Sequence, residues 1–531
     1  MAGQETIPIV VGVTGHRNMR SEDREMLYGA VVRTLTELRV RCPHSELVML
    51  NSLAEGADQL CAEAAEALSI PLIVALPMDR TEYERDFSGD ALSRFRALCG
   101  KARDCFVVPA TERVPQMPDR DFAYRQAGIY VATHAHILLA LWDGAPDPAS
   151  DCGTAATVRF VTDCAYQPAD SVHLRAFGTV LQIETLRDGA DPKTDVGTVR
   201  LIGDEATFSE TLARMDEFNR LVKQHAPPAP SLLPKDREPD AQLDRMEKLY
   251  TEADAQSVRF AKQYRRILAA LAIISTIITI SFLLYDEAEL HWMILVCGLM
   301  LLAAWTVQRC GKRFACHRRY LEYRTLAEGF RVQAFLRYAG SGLCVSDVLP
   351  WSAQTETGWI AAALTASAIG AKRYGRHEIK EPWVEQQRAY HAGAAQTSKR
   401  SLLGSDRIVK IAFWISIALY LGVLAFEFVW GDLSPFGARI ADADRYRTLS
   451  KLLLGGVSAA TLFTSNYFGR LSLSRVVSDH GKMERFFAAV SDRIDRYGQT
   501  DELLLLLARE ELIENGNWCS YQRDNAADFS L

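Results

Sequence analysis

Hydrophobic and polar positions follow two regimes along the 531 residues. In the first part, short apolar runs alternate with longer amphipathic stretches. The runs are Ile7–Val13 (IPIVVGV), Leu47–Leu50, Pro71–Leu76 (PLIVAL), the weaker Cys105–Val108 and His136–Leu141 (HILLAL). Runs of this kind, apolar at successive positions rather than at every second one, are strands buried on both faces. The stretches between them, Ser21–Leu38, Ala57–Leu68, Asp121–Thr133 and a segment opening at Gly153, carry helical periodicity. Strand and helix in alternation predict an α/β doubly wound parallel sheet of Rossmann-like type. Two further strands, Thr179–Thr185 and Val196–Leu201, and an amphipathic helix, Phe208–Val222, extend this domain over residues 1–225. The run Ala226–Asp240 (APPAPSLLPKDREPD) is Pro-rich and charged, which makes 226–244 a linker.

Beyond the linker the pattern changes to long uncharged runs. Residues 267–285 and 292–307 form one pair, separated by the acidic turn Asp286–His291. Residues 411–430 and 452–468 form a second. A span needs about 20 apolar residues, with ~17 as the usual minimum. The expectation is an α-helical C-terminal region with about four transmembrane helices in two hairpins: 245–345 with the first, 346–400 as a cytoplasmic helical segment, and 401–531 with the second and the closing helices. The fourth run is diluted by Ser458, Thr461, Thr464, Ser465 and Asn466. Glu427 stands a turn from the end of the third, where it can snorkel to the interface or face the bundle interior. Lys262, Arg265 and Arg266 precede the first span; Arg309, Lys312, Arg313, Arg318 and Arg319 follow the second; Asp286, Glu287 and Glu289 mark the tip. The positive-inside rule therefore places the N-terminal domain in the cytoplasm, and an even number of spans returns the C-terminus there.

Composition narrows the function classes. A net charge of −6 provides no general basic field, so no nucleic-acid polymer is expected as a partner. The 11 cysteines form no CxxC pair and no Cys/His ligand spacing, as in a reducing compartment without structural zinc. His134 and His136 read as neighbours on one strand face with no third ligand, so no metal is expected. The opening MAGQETIPIV is too polar and too short before its strand for a signal peptide.

Candidate chemistry sits in the turns after the strands: GVTGHR (Gly12–Arg17), SLAEGAD (Ser52–Asp58), LPMDRTEY (Leu76–Tyr83) and LWDG (Leu141–Gly144) with the trailing Gly153-Thr154-Ala155. In doubly wound sheets ligands bind outside the carboxyl ends of the strands, and a glycine turn before a helix aims backbone N–H groups at an anion. Gly12, Thr14 and Gly15 can cradle phosphate or simply allow strand and helix to pack. His16 and Arg17 follow where an anion would sit, Arg being able to bind it bidentately, or form a solvated loop pair. Glu55, Gly56, Ala57 and Asp58 open a helix, so Asp58 serves either a ligand or the helix N-terminus. Asp79, Tyr83 and Asp86 can meet ribose hydroxyls and a base. Trp142 and Asp143 can flank the ligand or pack the sheet edge, and Gly153 and Thr154 form a second phosphate turn.

The ordered set GVTGHR, LAEGAD before an Ala-rich helix, then LALWDG with GTA resembles the SLOG superfamily. These are Rossmann-like domains related to the Lonely Guy nucleotide hydrolases and to the DNA-processing protein of natural transformation. The resemblance covers about the first third of the chain and implies a pocket for a nucleotide-derived small molecule. Lonely Guy hydrolases carry PGGxGTxxE, whose glutamate assists N-glycosidic cleavage. Here the PGG is absent and Thr157 stands at the glutamate position. A threonine is no general base near neutral pH without an activating partner, so binding without turnover is expected, with no catalytic residue and no cofactor. The hairpin, the following RTLAEGFR helix and the closing Leu512–Trp518 (LIENGNW) near Arg523-Asp524 resemble the SLATT group of membrane effectors found beside such sensors in bacterial defence loci, over about 245–525. The two resemblances together imply a multi-pass inner-membrane effector, homo-oligomeric, whose cytoplasmic domain senses a nucleotide second messenger (a cyclic oligonucleotide or an ADP-ribose derivative). The alternative is a membrane-tethered nucleotide N-glycosidase needing a carboxylate such as Glu55, Asp58 or Asp143.

Overall fold

The computed structural model describes residues 5–110, 119–147, 151–163, 166, 178–225, 232–350, 358–370, 376–430, 443–470 and 473–524. Residues 226–231 of the expected linker lie outside this set. Among the described residues the N-terminal region holds seven strands: β1 (Ile9–Gly15), β2 (Leu47–Asn51), β3 (Leu72–Leu76), β4 (Asp104–Val107), β5 (Ile137–Trp142), β6 (Thr179–Glu184) and β7 (Val199–Ile202). They form one sheet in the order β4-β3-β2-β1-β5-β6-β7. All neighbours are parallel except β6 and β7. Chain order reverses between β1 and β5, and the crevice outside such a switch point is where ligands enter doubly wound sheets.

Helices α1 (Arg24–Arg41), α2 (Ala57–Ala67), α3 (Arg80–Tyr83), α4 (Gly89–Lys101), α5 (Arg120–His134), α6 (Thr154–Thr162) and α7 (Glu205–Gln224) alternate with the strands. The first six residues of β1 and all residues of β2 and β3 are buried, as the unbroken apolar runs require. Side chains two apart along the strands, such as Val48 and Leu50 or Leu138 and Ala140, share one core with Ala127, Tyr130 and Val131 of α5 and Val158 of α6. Gly12 permits that packing: a Cβ there would stand 2.6 Å from the Cβ of Ala135 and 2.9 Å from Val131. His134 ends α5 rather than sharing a strand face with His136, and its Nδ1 meets the Tyr130 carbonyl at 2.9 Å.

The chain divides into two compact units. The first joins Met1–Ala255 to Thr325–His377 and Asp501–Gly516, so the α/β domain carries a layer of later helices. Gly370 N–H donates to the Tyr130 hydroxyl (3.0 Å), Val10 N–H donates to His136 Nδ1 (3.0 Å), and His136 Nε2 donates to the Ala362 carbonyl (2.8 Å). Buried Arg331 bridges Glu328 (2.5 Å) and Glu511 (2.8 Å), and Arg337 donates to the Ala368 carbonyl (3.0 Å). Within the expected helical segment 346–400 lies α12 (Gly358–Ser367), after α8 (Ala241–Glu287), α9 (Met293–Phe314), α10 (Cys316–Tyr338) and the short α11 (Val345–Val348).

The second unit joins Gln256–Arg324, Glu378–Thr500 and Asn517–Leu531 and contains α13 (Gln386–Trp430), α14 (Ala443–Arg470) and α15 (Leu473–Tyr497); the last helix, α16, covers Asp501–Asp524. Among the described residues three helices are long and apolar enough to cross a membrane, and they hold the first three expected runs. Apolar side chains there face outward, Leu295 at 68 % and Trp414 at 65 % exposure. The fourth run lies in α14, which is helical over 28 residues but is not among those three. Its first turns supply cations to carboxylates at the ends of other helices. Arg447 holds Glu427 through two bonds (2.6 and 2.8 Å), and Lys451 holds Glu287 (2.9 Å). Glu427 thus has a partner within the bundle. Gly455 lets α14 approach α8, since a Cβ would lie 2.8 Å from Leu283.

Candidate functional site

A cleft of about 430 Å³ opens at the carboxyl ends of β1 and β3 and the N-terminus of α6. Of the residues singled out from sequence, Thr14, Gly15, His16, Arg17, Asp58, Tyr83, Gly153 and Thr154 line it. The turns that place them are tightly held. Asn51 ties the β2–α2 turn from inside, its side chain accepting Leu53 N–H (2.6 Å) and donating to the Asp58 carbonyl (2.8 Å). That grip keeps the buried Leu53 left-handed at φ 57°, a conformation costly for a γ-branched residue. Gly56, at φ +86°, abuts the loop after β1: a Cβ would lie 2.2 Å from the Arg17 carbonyl oxygen and 2.6 Å from that of His16. Ala57 N–H donates to that His16 carbonyl (3.1 Å). Gly153, at φ +88°, opens α6 with nothing near the position of a Cβ.

Three polar groups of the cleft have few partners among the described residues, Arg17 being held only by Tyr124. Arg17 lies over the Tyr124 ring, 4.8 Å from its centroid, and has no carboxylate within ion-pair distance among the described residues. Asp58 is 6 % exposed and its Oδ2 accepts Ala54 N–H (3.2 Å), but among the described residues it forms no ion pair and Oδ1 has no hydrogen-bond partner. Tyr83 is buried to 1 % exposure, packed edge-on against Phe87 and Phe95, and no described residue bonds its hydroxyl. Burial pushes the Asp58 carboxyl up to about 7, against the pull of Ala54 N–H and of Arg17. Burial likewise raises the Tyr83 phenol well above its ordinary value. His16 is lowered by burial, against the attraction of Asp143. Its Nε2 accepts Asp143 N–H (3.2 Å), so the ring is the neutral Nδ1–H tautomer, although Asp143 Oδ1 lies only 3.3 Å away.

The other sequence candidates stand away from the lining. Gly12, Gly56 and Ala57 serve the backbone packing described above. Glu55 is exposed. Asp79 caps α3, accepting Thr81 N–H (3.0 Å), and Trp142 Nε1 donates to the Ala145 carbonyl (3.2 Å). Asp143 acts one layer back, between His16 and Arg187 (3.3 Å). Asp86 is held by Arg120 and by the Tyr124 hydroxyl.

The lining also includes Thr157, singled out above, and residues that no sequence motif marked: Asp121, Tyr124, Gly128 and Val131, together with Asp147 and Arg187. Asp121, Tyr124, Gly128 and Val131 follow the i, i+3, i+7, i+10 spacing of one helix face, a signal available in α5 once its cleft-facing side is known. Thr157 donates its hydroxyl to the Gly153 carbonyl (2.9 Å) within its own helix, so the position that would hold a catalytic glutamate is tied to backbone. Among the described residues no group of three or more His, Cys, Asp or Glu could hold a metal. A smaller cavity of about 170 Å³ lies at the other ends of the strands, between Ala135-His136 and Ala361-Ala362, where both nitrogens of His136 are already bonded. No protein-family model and no curated protein sequence matches the chain.

Proposed function

We propose that this chain is a membrane effector of the SLOG–SLATT kind, whose cytoplasmic α/β domain senses a nucleotide-derived second messenger and triggers opening or disruption of the membrane in antiphage defence. The observation that carries the reading is the cleft at the strand-order switch point, which Arg17, Asp58 and Tyr83 line beside two glycine-opened turns. Such a cleft, in a chain that also has three helices apolar enough to span, suits a sensor that acts on a bilayer. The ligand drives the change only through different affinity for the resting and active arrangements. Several copies assemble in this reading, because four helices in one protomer make a poor pore.

Support for four spans comes from the make-up of the first unit. Segments before the first span, between the second and third, and after the fourth pack together there. Segments that pack together lie on one side of a bilayer, so the crossings between Ala255 and Thr325, and again between His377 and Asp501, come in even numbers. The apolar part of α13 then needs a returning partner. Helix α14, about 40 Å long at 1.5 Å per residue, has the length, and its pairing with Glu427 and Glu287 gives it neighbours that tolerate its hydroxyls. Both termini fall on the cytoplasmic side of the inner membrane in this arrangement.

A second reading, a membrane-tethered N-glycosidase, retains one candidate. Glu55 is exposed and Asp143 is held by Arg187, but the Asp58 carboxyl, at about 7, is tuned as a general acid or base would be. The test uses the whole chain in detergent, because the first unit includes residues far beyond 225. Melting curves with cyclic oligonucleotides and ADP-ribose derivatives are followed by chromatography of the mixture, and dye release is measured from liposomes holding the protein. A raised melting temperature, intact ligand and ligand-dependent release are expected. Hydrolysis products select the second reading; a melting curve unmoved by every nucleotide sinks both.

A further inference from the structure

We propose that Asp58, Arg17 and Tyr83 form a donor-only subsite for a phosphoryl group of the ligand, and that filling it draws one proton onto the Asp58 carboxyl. This rests on the nucleotide reading above. The geometry is that of a carboxyl on the cleft wall with one oxygen satisfied by Ala54 N–H and the other unpartnered among the described residues. Tyr83 of α3 and Arg17 of the loop after β1 line the same cleft, near enough for the charge of Asp58 to act on each.

An anion attracted to Arg17 therefore arrives beside a buried carboxylate. Two like charges in a poorly hydrated site raise each other's energy, and the carboxyl relieves this by taking a proton. Once neutral, Asp58 changes from a repelling group into a hydrogen-bond donor, joining the phenol and the guanidinium. The wider surroundings do not offset the second negative charge. Asp121 and Asp147 on the lining are themselves acidic, and Cys61 on the same helix is a buried neutral thiol. Asp86 is held by Arg120 and Tyr124, His16 is neutral, and Arg187 is paired with Asp143. Since burial alone already brings the carboxyl to about 7, the added charge of a ligand completes the protonation through the neutral range.

The linkage has a defined sign. At pH 8 the empty site is mostly ionised, so binding takes up close to one proton and the affinity falls about fivefold from pH 7 to pH 8. Well below pH 6 the proton is already present and affinity levels off.

The experiment is calorimetric titration of the full-length chain in detergent with ADP-ribose and with a cyclic dinucleotide, at pH 8, in Tris and in HEPES. Adenosine serves as the phosphate-free control. The difference in heat between buffers counts the protons taken up. Expected are close to one proton for the phosphorylated probes and none for adenosine. Asp58→Asn should bind the phosphorylated probes with no proton uptake and an affinity independent of pH. Tyr83→Phe should bind more weakly with the proton count unchanged, a readout that does not depend on the Asn variant folding. Binding heat without proton uptake in the native chain, or uptake that persists in Asp58→Asn, overturns the proposal while leaving the nucleotide reading intact. No binding heat with any phosphorylated probe overturns both.

Discussion

Two polar regions of the first unit are built on opposite terms. In the helical layer, the charged groups named above are engaged by the fold, although the buried Arg337 Nε makes no hydrogen bond among the described residues: Arg331 lies between Glu328 and Glu511, Arg337 donates to the Ala368 carbonyl, and His136 is bonded at both nitrogens. In the cleft, Arg17 rests on the Tyr124 ring without an ion pair among the described residues, and one oxygen of Asp58 has no hydrogen bond among them. Buried polar groups are normally satisfied, and leaving one unmade costs about 1–3 kcal/mol. Groups that leave donors or acceptors open at a cleft are accessible to a ligand, whereas groups engaged in ion pairs across the helical layer hold the fold. The comparison breaks if substitutions in the helical layer spare stability, or if those in the cleft destroy it.

The largest expected effect is at Arg331. Arg331→Met removes the buried cation that bridges Glu328 and Glu511. Removing one partner of a buried pair costs about 3–5 kcal/mol, so the melting temperature of the detergent-solubilised chain should drop by many degrees. An unchanged melting curve would show that the layer does not hold the unit together.

Next comes Asp58, where the cleft group lowers stability instead of adding to it. Its folded pKa, about 7, lies above the ordinary 3.8, so the protonated form is favoured by folding. Its contribution is fully present below about pH 4 and is lost as pH rises to about 7, at most about 4 kcal/mol over that interval. Asp58→Asn removes the titration. The variant should match the native chain near pH 4 and exceed its melting temperature at pH 8; parallel curves across that range would refute the assignment. His136→Ala follows, at about 2–3 kcal/mol destabilising, through loss of the bonds to Val10 and Ala362.

Arg17→Ala should reverse the pattern. Losing a charge-assisted contact to a phosphate costs about 2 kcal/mol of binding, roughly 30-fold in affinity for ADP-ribose, while the melting temperature without ligand stays nearly unchanged. A large loss of stability would mean that Arg17 serves the fold rather than a ligand.

The difference between the regions also marks what could be read from the sequence. Strands buried on both faces announce themselves as runs such as PLIVAL and HILLAL, and β3 and β5 fall there. The turns after them brought Arg17, Asp58, Tyr83 and Gly153 to one cleft, because parallel strands place all their carboxyl ends on one edge. Tyr124 and Gly128 were not legible, because α5 is polar and apolar on several sides and which side meets the cleft depends on its packing against β1 through Gly12. Nor was the joining of Thr325–His377 and Asp501–Gly516 to the first unit, since Arg331 and Glu511 are 180 residues apart and share no local pattern.

The smallest effect separates the two meanings of a glycine in this site. At Gly56 the loop after β1 presses on the Cα, so any side chain displaces the carbonyls of His16 and Arg17 and disturbs fold and cleft together. At Gly153 nothing lies within 4 Å of the Cβ position, and the only demand for glycine is its φ of +88°. Gly153→Ala should therefore cost only about 1 kcal/mol of stability through backbone strain. If the first turn of α6 serves a phosphate, relief of that strain rotates its N–H groups out of line. Affinity for ADP-ribose then falls several-fold while affinity for adenosine holds. An equal loss for both probes would mean that the turn shapes the cleft without addressing the phosphate, and the anion would be left to Arg17.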